Sequence, residues 1–216
     1  MPVGEYEATA RRVNIGYEVA FELATALLRA HCPGDAWLLV VGAGGGMEVR
    51  TFARAAPGWH LTGVDPSAEM LALARAAADG LGVAERVELV RGTVDDLPPE
   101  PRFDAATLFF TLMHLPDDGA KLAALLGIHQ RLRPGAPLLL ADAIADQRAR
   151  FAPAWLQYAE ARGMPAGDIA ALIARITAGS NTSTEAREMA LLAEAGFHDP
   201  TRFFAALHIN AWTASA

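Results

Sequence analysis

Three glycines and one aspartate carry the most chemical information in this sequence. Gly42, Gly44 and Gly46 follow directly on the apolar run Leu38-Leu39-Val40-Val41, the pattern of a buried parallel strand ending in a tight turn. Glycine reaches positive φ without strain and, having no side chain, lets backbone amides approach a bound molecule. The N–H groups that open the next helix then face that molecule. Asp65 stands at the carboxyl end of the next apolar run, His60 to Val64. Two carboxylate oxygens there suit the adjacent hydroxyls of a ribose. A helix-start acid favoured by the macrodipole is the plainer reading of the same residue. His114 follows the fourth apolar run and is the candidate general base, or else a structural histidine beneath a helix start.

The elements that must position these residues alternate. Tyr6 to His31 reads as a short helix, a turn at Asn14-Ile15-Gly16-Tyr17 and a longer helix, with Val19, Leu23, Leu27 and Leu28 at helical spacing. Strands are expected over 37–41, 60–64, 87–91, 103–110 and 137–141, with helices between them. The loop Gly92-Thr93-Val94-Asp95-Asp96-Leu97-Pro98 follows the third strand, and a helix opens at Pro116-Asp117-Asp118 and runs to Arg133. After the fifth strand, which ends at Asp142, the alternation lapses into two helices, 146–162 and 167–178, divided by Gly163-Met164-Pro165. Thr182-Ser183-Thr184-Glu185 fits a capping box. Residues 197–206 and 207–214 read as an antiparallel pair of strands that contains His208, either a solvent-facing or a packing residue. No internal repeat or low-complexity linker interrupts the chain, so residues 1–216 are expected to form a single domain, with 1–34 as a helical cap and 146–181 as a helical lid.

Composition narrows the function. With 216 residues, 52% hydrophobic and a net charge of −7, the chain is long enough for a sizeable core. Its acidic balance argues against broad electrostatic binding of nucleic acid. The lone Cys32 excludes an internal disulfide and any multi-cysteine metal site, and no metal is expected. Met1-Pro2-Val3-Gly4-Glu5 lacks the basic and apolar regions of a secretion signal. No apolar run reaches membrane-spanning length, so a cytoplasmic location is the expectation. A dinucleotide fingerprint places glycines at positions one, three and six. Counted from Gly42 the sixth position is Met47, which disfavours an NAD-dependent oxidoreductase.

Glycines at one, three and five do match, and that spacing resembles motif I of the class I S-adenosylmethionine-dependent methyltransferases. The resemblance extends in order through Val64-Asp65-Pro66-Ser67, Gly92 to Pro98, Phe103-Asp104 to Leu115, Leu132-Arg133-Pro134-Gly135 and Glu194-Ala195-Gly196-Phe197. It implies an α/β, Rossmann-like fold. Its seven-stranded, mostly parallel sheet has the order 3-2-1-4-5-7-6 with strand 7 antiparallel, helices on both faces and the helical insertion after strand 5. It also implies S-adenosyl-L-methionine as cofactor. Gly42, Ala43, Gly44 and Gly46 would then approach the methionine moiety, and Asp65 the ribose hydroxyls. Pro66 and Met70 would lie near the adenine, with Thr93 and Val94 along its edge. Phe109 and Phe110 would line the pocket near the sulfonium, and Tyr17 would reach the cofactor from the amino-terminal segment.

For the acceptor pocket the expected contributors are Phe151, Trp155, Tyr158, Met164 and Arg175 of the insertion, around a small-molecule substrate. An ordinary packed helical pair is the alternative for the same residues. Methyl transfer chiefly needs alignment and exclusion of water, so no obligatory catalytic side chain is implied beyond the candidate His114. Two departures from the family pattern stand out: Val40 where the family usually has an acid, and Thr93 where it often has aspartate. Each removes an acceptor, with a loss of about 0.5–1.5 kcal/mol per hydrogen bond. These departures motivate a second reading, a non-catalytic domain that has lost its cofactor. A third, weaker resemblance is to the carboxy-S-adenosylmethionine synthases of tRNA modification, carried by Asn14 to Tyr17, Phe110-Thr111-Leu112 and the last hairpin.

Overall fold

The computed structural model describes residues 3–100, 102–178 and 181–216, with the side chains of 3–6 and 175–177 outside the description. The strands are β1 (Trp37–Val41), β2 (His60–Asp65), β3 (Val87–Arg91), β4 (Ala105–Phe109), β5 (Pro137–Ala143), β6 (His198–Ala206) and β7 (Ile209–Ser215). They form one sheet in the order β3-β2-β1-β4-β5-β7-β6. Pairings from β3 across to β5 are parallel, and β7 runs antiparallel to both β5 and β6. The expected order, including the reversed strand, is the observed one.

The helices are α1 (Val3–Val13), α2 (Tyr17–His31), α3 (Met47–Ala55), α4 (Ala68–Leu81), α5 (Ala120–Arg131), α6 (Ala145–Ala161), α7 (Ala166–Thr177) and α8 (Glu185–Glu194). Alternation along β1 sends its side chains to two separate cores. Leu38 and Val40 join Phe21, Leu28, Phe52 and Ala77 on the α2–α3–α4 face. Leu39 and Val41 join Leu125, Ile128, Leu191 and Phe197 on the α5–α8 face. Both faces are therefore covered, which is why the parallel strands read as continuous apolar runs. Because β2 lies on one side of β1 and β4 on the other, the strand order reverses at β1 and opens a crevice at the carboxyl ends of the strands.

Two helix starts differ from expectation. At α8 the cap is Thr184, whose hydroxyl accepts from the Arg187 N–H. Glu185 is thus the first helical residue and cannot reach back as in a capping box from Thr182. α5 begins at Ala120 rather than Pro116, because Gly119 at φ 111° and an Asp118 carboxylate accepting from Ala120 N–H set the start. The insertion after β5 is two helices, α6 and α7, as the lapse in alternation implied. Among the described residues no helix is long and apolar enough to cross a membrane, and no group of three or more metal-ligating side chains occurs.

Candidate functional site

The crevice at the strand reversal is a cavity of about 540 Å³. The glycine turn borders it at Gly42, held by contacts the sequence alone did not show. Gly42 and Ala43 both donate their N–H groups to Val64 O, at 2.9 and 3.1 Å. The Gly44 backbone N–H helps hold the acid constant of Asp65 down. The turn thus fastens β1 to β2 through occupied donors, and its glycines make room for Thr111, Met70, Asp65 and Ala74 to pack against it. Gly42 sits at φ 77°, and a side chain there would run into the Thr111 hydroxyl. Gly44 packs against Met70 and Asp65, Gly46 against the backbone of α4 at Ala74, and Ala43 lies in the core, so all three support the turn from outside the cavity lining.

Asp65 forms one end of the cavity. Its Oδ1 accepts from Ser67 N–H at 2.8 Å, which orients the carboxylate. Burial pushes its acid constant up, and the two backbone donors pull it down. Pro66, Met70 and Val94 make an apolar wall beside it. Thr93 also lines the cavity, but its side chain is engaged as the cap of the turn over 94–96: the hydroxyl accepts from Asp95 N–H, and Asp96 accepts from Thr93 N–H at 2.8 Å. Asp95, which the sequence reading passed over, lines the cavity two residues on.

Phe109 and Phe110 close the opposite end. Phe110 has the left-handed φ of 53°, an uncommon conformation for a bulky residue, and is held there by its N–H bond to Ala141 O at 2.7 Å. Its ring lies 5.5 Å from that of Tyr17. Tyr17 does not line the large cavity. It lines a second void of about 30 Å³ with Asn14, Gly42, Gly45, Glu48, Phe109 and Phe110. Gly42 and the two phenylalanines border both spaces, so the voids meet at the glycine turn. His114, exposed in a short turn after β4, lines the large cavity's rim, and Asn181 donates to its backbone carbonyl at 3.1 Å.

The helical insertion is placed elsewhere. No described residue of α6 or α7 lines the large cavity. Trp155, Ala159, Met164 and Leu172 form a satellite core with Val13, Ile15 and Leu207. The Trp155 indole N–H donates to Val13 O at 2.7 Å, and its ring packs on His208 at 4.4 Å. His208 is therefore a packing residue. Tyr158 is half-buried under the Arg162 guanidinium, and Phe151 lies beside Arg150. The Arg175 side chain lies outside the described residues. The aromatic spacing that suggested an acceptor pocket is satisfied by bracing the α1–α2 turn.

The cavity fits an adenosyl ligand on structural grounds. A Cβ at Gly44 would lie 2.6 Å from Met70 and 2.8 Å from Asp65 Oδ2, so the bare glycine lets both of these cavity-lining residues take up their places. A fixed carboxylate stands against an apolar wall large enough for a purine. A family model described as a methyltransferase domain matches residues 39–138, the span from β1 into β5 that builds this cavity. The match spans just under half of the chain, and over that span the chain is similar to a methyltransferase domain. A demethylmenaquinone methyltransferase of Lactiplantibacillus plantarum is 38% identical over 104 residues, 48% of this chain and 42% of that protein. The chain thus matches less than half the length of that curated relative. Among solved structures, a methyltransferase of Aquifex aeolicus superposes over 100% of this chain and 98% of its own with TM-score 0.67 at 16% identity. An O-methyltransferase of Nostoc punctiforme, so described provisionally, covers 94% of this chain and 57% of its own with TM-score 0.69 at 20% identity. These two likenesses establish the methyltransferase fold. Neither a carboxy-S-adenosylmethionine synthase nor a domain without cofactor finds support among these relatives.

Proposed function

We propose that this chain transfers a methyl group from S-adenosylmethionine to a small organic acceptor. The observation that carries the reading is the oriented Asp65 carboxylate lining, with Gly42, a cavity of about 540 Å³ at the point where the strand order reverses. When bound, S-adenosylmethionine supplies an electrophilic methyl carbon on a sulfonium sulfur whose leaving group is neutral. The protein's part is then to hold and align. Asp65 would accept from two adjacent ribose hydroxyls, while Pro66, Met70 and Val94 flank the adenine with Thr93 and Asp95 along its edge. Phe109 and Phe110 exclude water from the reacting end, which favours direct displacement. His114, at the rim, would take the proton of a hydroxyl acceptor.

A small acceptor suits this surface. The net charge of −7 disfavours nucleic acid, and the relatives include one named for a quinone precursor. In this reading the insertion, 146–181, controls access indirectly by bracing the turn that carries Tyr17. The test is transfer of label from methyl-labelled S-adenosylmethionine to a panel of quinols, catechols and phenols. We expect extractable labelled product that disappears with Asp65→Asn. Tight binding of S-adenosylhomocysteine with no label transferred to any acceptor would overturn the proposed activity.

A further inference from the structure

Glu48 is the one acid buried at the glycine turn itself, and the function proposed above leaves it unused. It is the second residue of α3, two beyond the Gly46 cap, and is 4% exposed. An acid that merely complements a helix dipole has no need of burial, since exposed carboxylates at helix starts do so in water. Its carboxylate takes a hydrogen bond from its own backbone N–H, and Asp65 adds a second negative charge nearby. Among the described residues no cation forms an ion pair with it. Its helix neighbour Arg50 is turned away to Glu7 and to Gly45 O. Burial pushes the Glu48 carboxyl up to about 7, the condition of an acid that lacks its counter-ion.

Glu48 also lines the void of about 30 Å³ shared with Asn14, Tyr17, Gly42 and Gly45. A space of that size takes roughly one or two small polar groups. It adjoins the large cavity at Gly42, Phe109 and Phe110, and neither Asp65 nor Met70 lines it. An elongated ligand whose nucleoside lies against Asp65 would therefore direct its other end past Gly42 toward Glu48. In S-adenosylmethionine that end is an amino acid bearing an ammonium.

We propose that Glu48 is the counter-charge for the ammonium of the ligand's amino-acid arm, replacing the acceptor that Val40 does not provide. Val40 is itself buried in the apolar core facing α2 and α3, so an acid at that position would have no access to water. Glu48 supplies the charge from the other end of the turn. The assignment rests on the adenosyl reading of the large cavity.

Calorimetry on the purified chain separates the two claims. S-adenosylhomocysteine carries the ammonium, its desamino analogue lacks it, and 5′-methylthioadenosine lacks the whole arm. On the wild-type chain, the desamino analogue should bind at least about tenfold more weakly than S-adenosylhomocysteine. In Glu48→Gln that difference should vanish, with 5′-methylthioadenosine affinity unchanged within about twofold. Equal wild-type affinity for S-adenosylhomocysteine and its desamino analogue overturns the assignment without needing any variant. So does a Glu48→Gln chain that loses all three ligands alike. A wild-type chain that binds none of them overturns the adenosyl reading itself.

Discussion

Gly44 and Asp65 are packed as a unit: the glycine backbone helps pull the acid constant of the aspartate down, and a Cβ on the glycine would fall 2.8 Å from Asp65 Oδ2. Glycine at this position thus leaves the acid the room it occupies. The backbone of Gly44 is not in the left-handed region, so a substitution there probes space rather than backbone strain.

Gly44→Ala should therefore weaken S-adenosylhomocysteine strongly while leaving the fold in place. The new methyl would meet Met70 Cε at 2.6 Å and the Asp65 carboxylate at 2.8 Å. Adding Met70→Ala, which removes the flexible neighbour, should restore part of the affinity. Calorimetry with unfolding midpoints measured in parallel checks both points.

Asp65→Asn keeps the shape and removes the charge. A hydrogen bond to a charged group contributes about 1.5–3 kcal/mol, so affinity for S-adenosylhomocysteine should fall roughly ten- to hundredfold. Affinity for homocysteine-free adenosine should fall by a similar factor, because both ligands present the same ribose. Unequal losses would move the ribose away from Asp65.

Gly42→Ala should act on stability first. Its φ of 77° and the Thr111 hydroxyl in the way both oppose a methyl, and the backbone conformation alone costs about 1–2 kcal/mol. A fall in Tm of at least about 2–4 °C is expected for a chain of this size. Pairing it with Thr111→Ala should recover part of the loss, since Thr111 Oγ1 is the nearest obstacle and also bonds Phe109 O at 2.9 Å.

A pH dependence follows from the buried cluster behind β5. Glu188 is buried, one of its oxygens lacks a hydrogen-bond partner, and burial and then the charge of Asp142 hold its carboxyl above the ordinary range. The unfolded chain releases that proton near pH 4.3, whereas the folded chain keeps it to higher pH. Its contribution to stability is thus fully present below about pH 4 and declines as pH rises toward the raised folded value. Glu188→Gln, which needs no proton, should gain stability relative to wild type steadily from about pH 5 to about pH 9. Thermal unfolding at three pH values across that range tests it, and a difference independent of pH would contradict the assignment.

The parts of this molecule legible in its sequence are those fixed by local chemistry. β1 and β4 read directly because burial on both faces demands continuous apolar runs, and Gly42 could be assigned to a tight turn because its neighbours end such a run. Asp65 was recognisable from its place at a strand's end. What escaped depended on distant packing. Trp155 has the spacing of a pocket residue, and only the carbonyl of Val13, far away in sequence, shows its N–H to be satisfied within a satellite core. Glu48 resembles any acid in a first helical turn until the α1–α2 turn is laid over it. Thr182 and Thr184 offer the same hydroxyl, and chain direction into α8 decides between them.

Titration of the purified wild-type chain with S-adenosylhomocysteine tests the central claim most directly. The account predicts saturable heat at one site per chain, no heat with NAD, and loss of the signal in Asp65→Asn at the same ligand concentrations. A folded chain that gives no heat with S-adenosylhomocysteine, or gives the same heat without the Asp65 carboxylate, would contradict it.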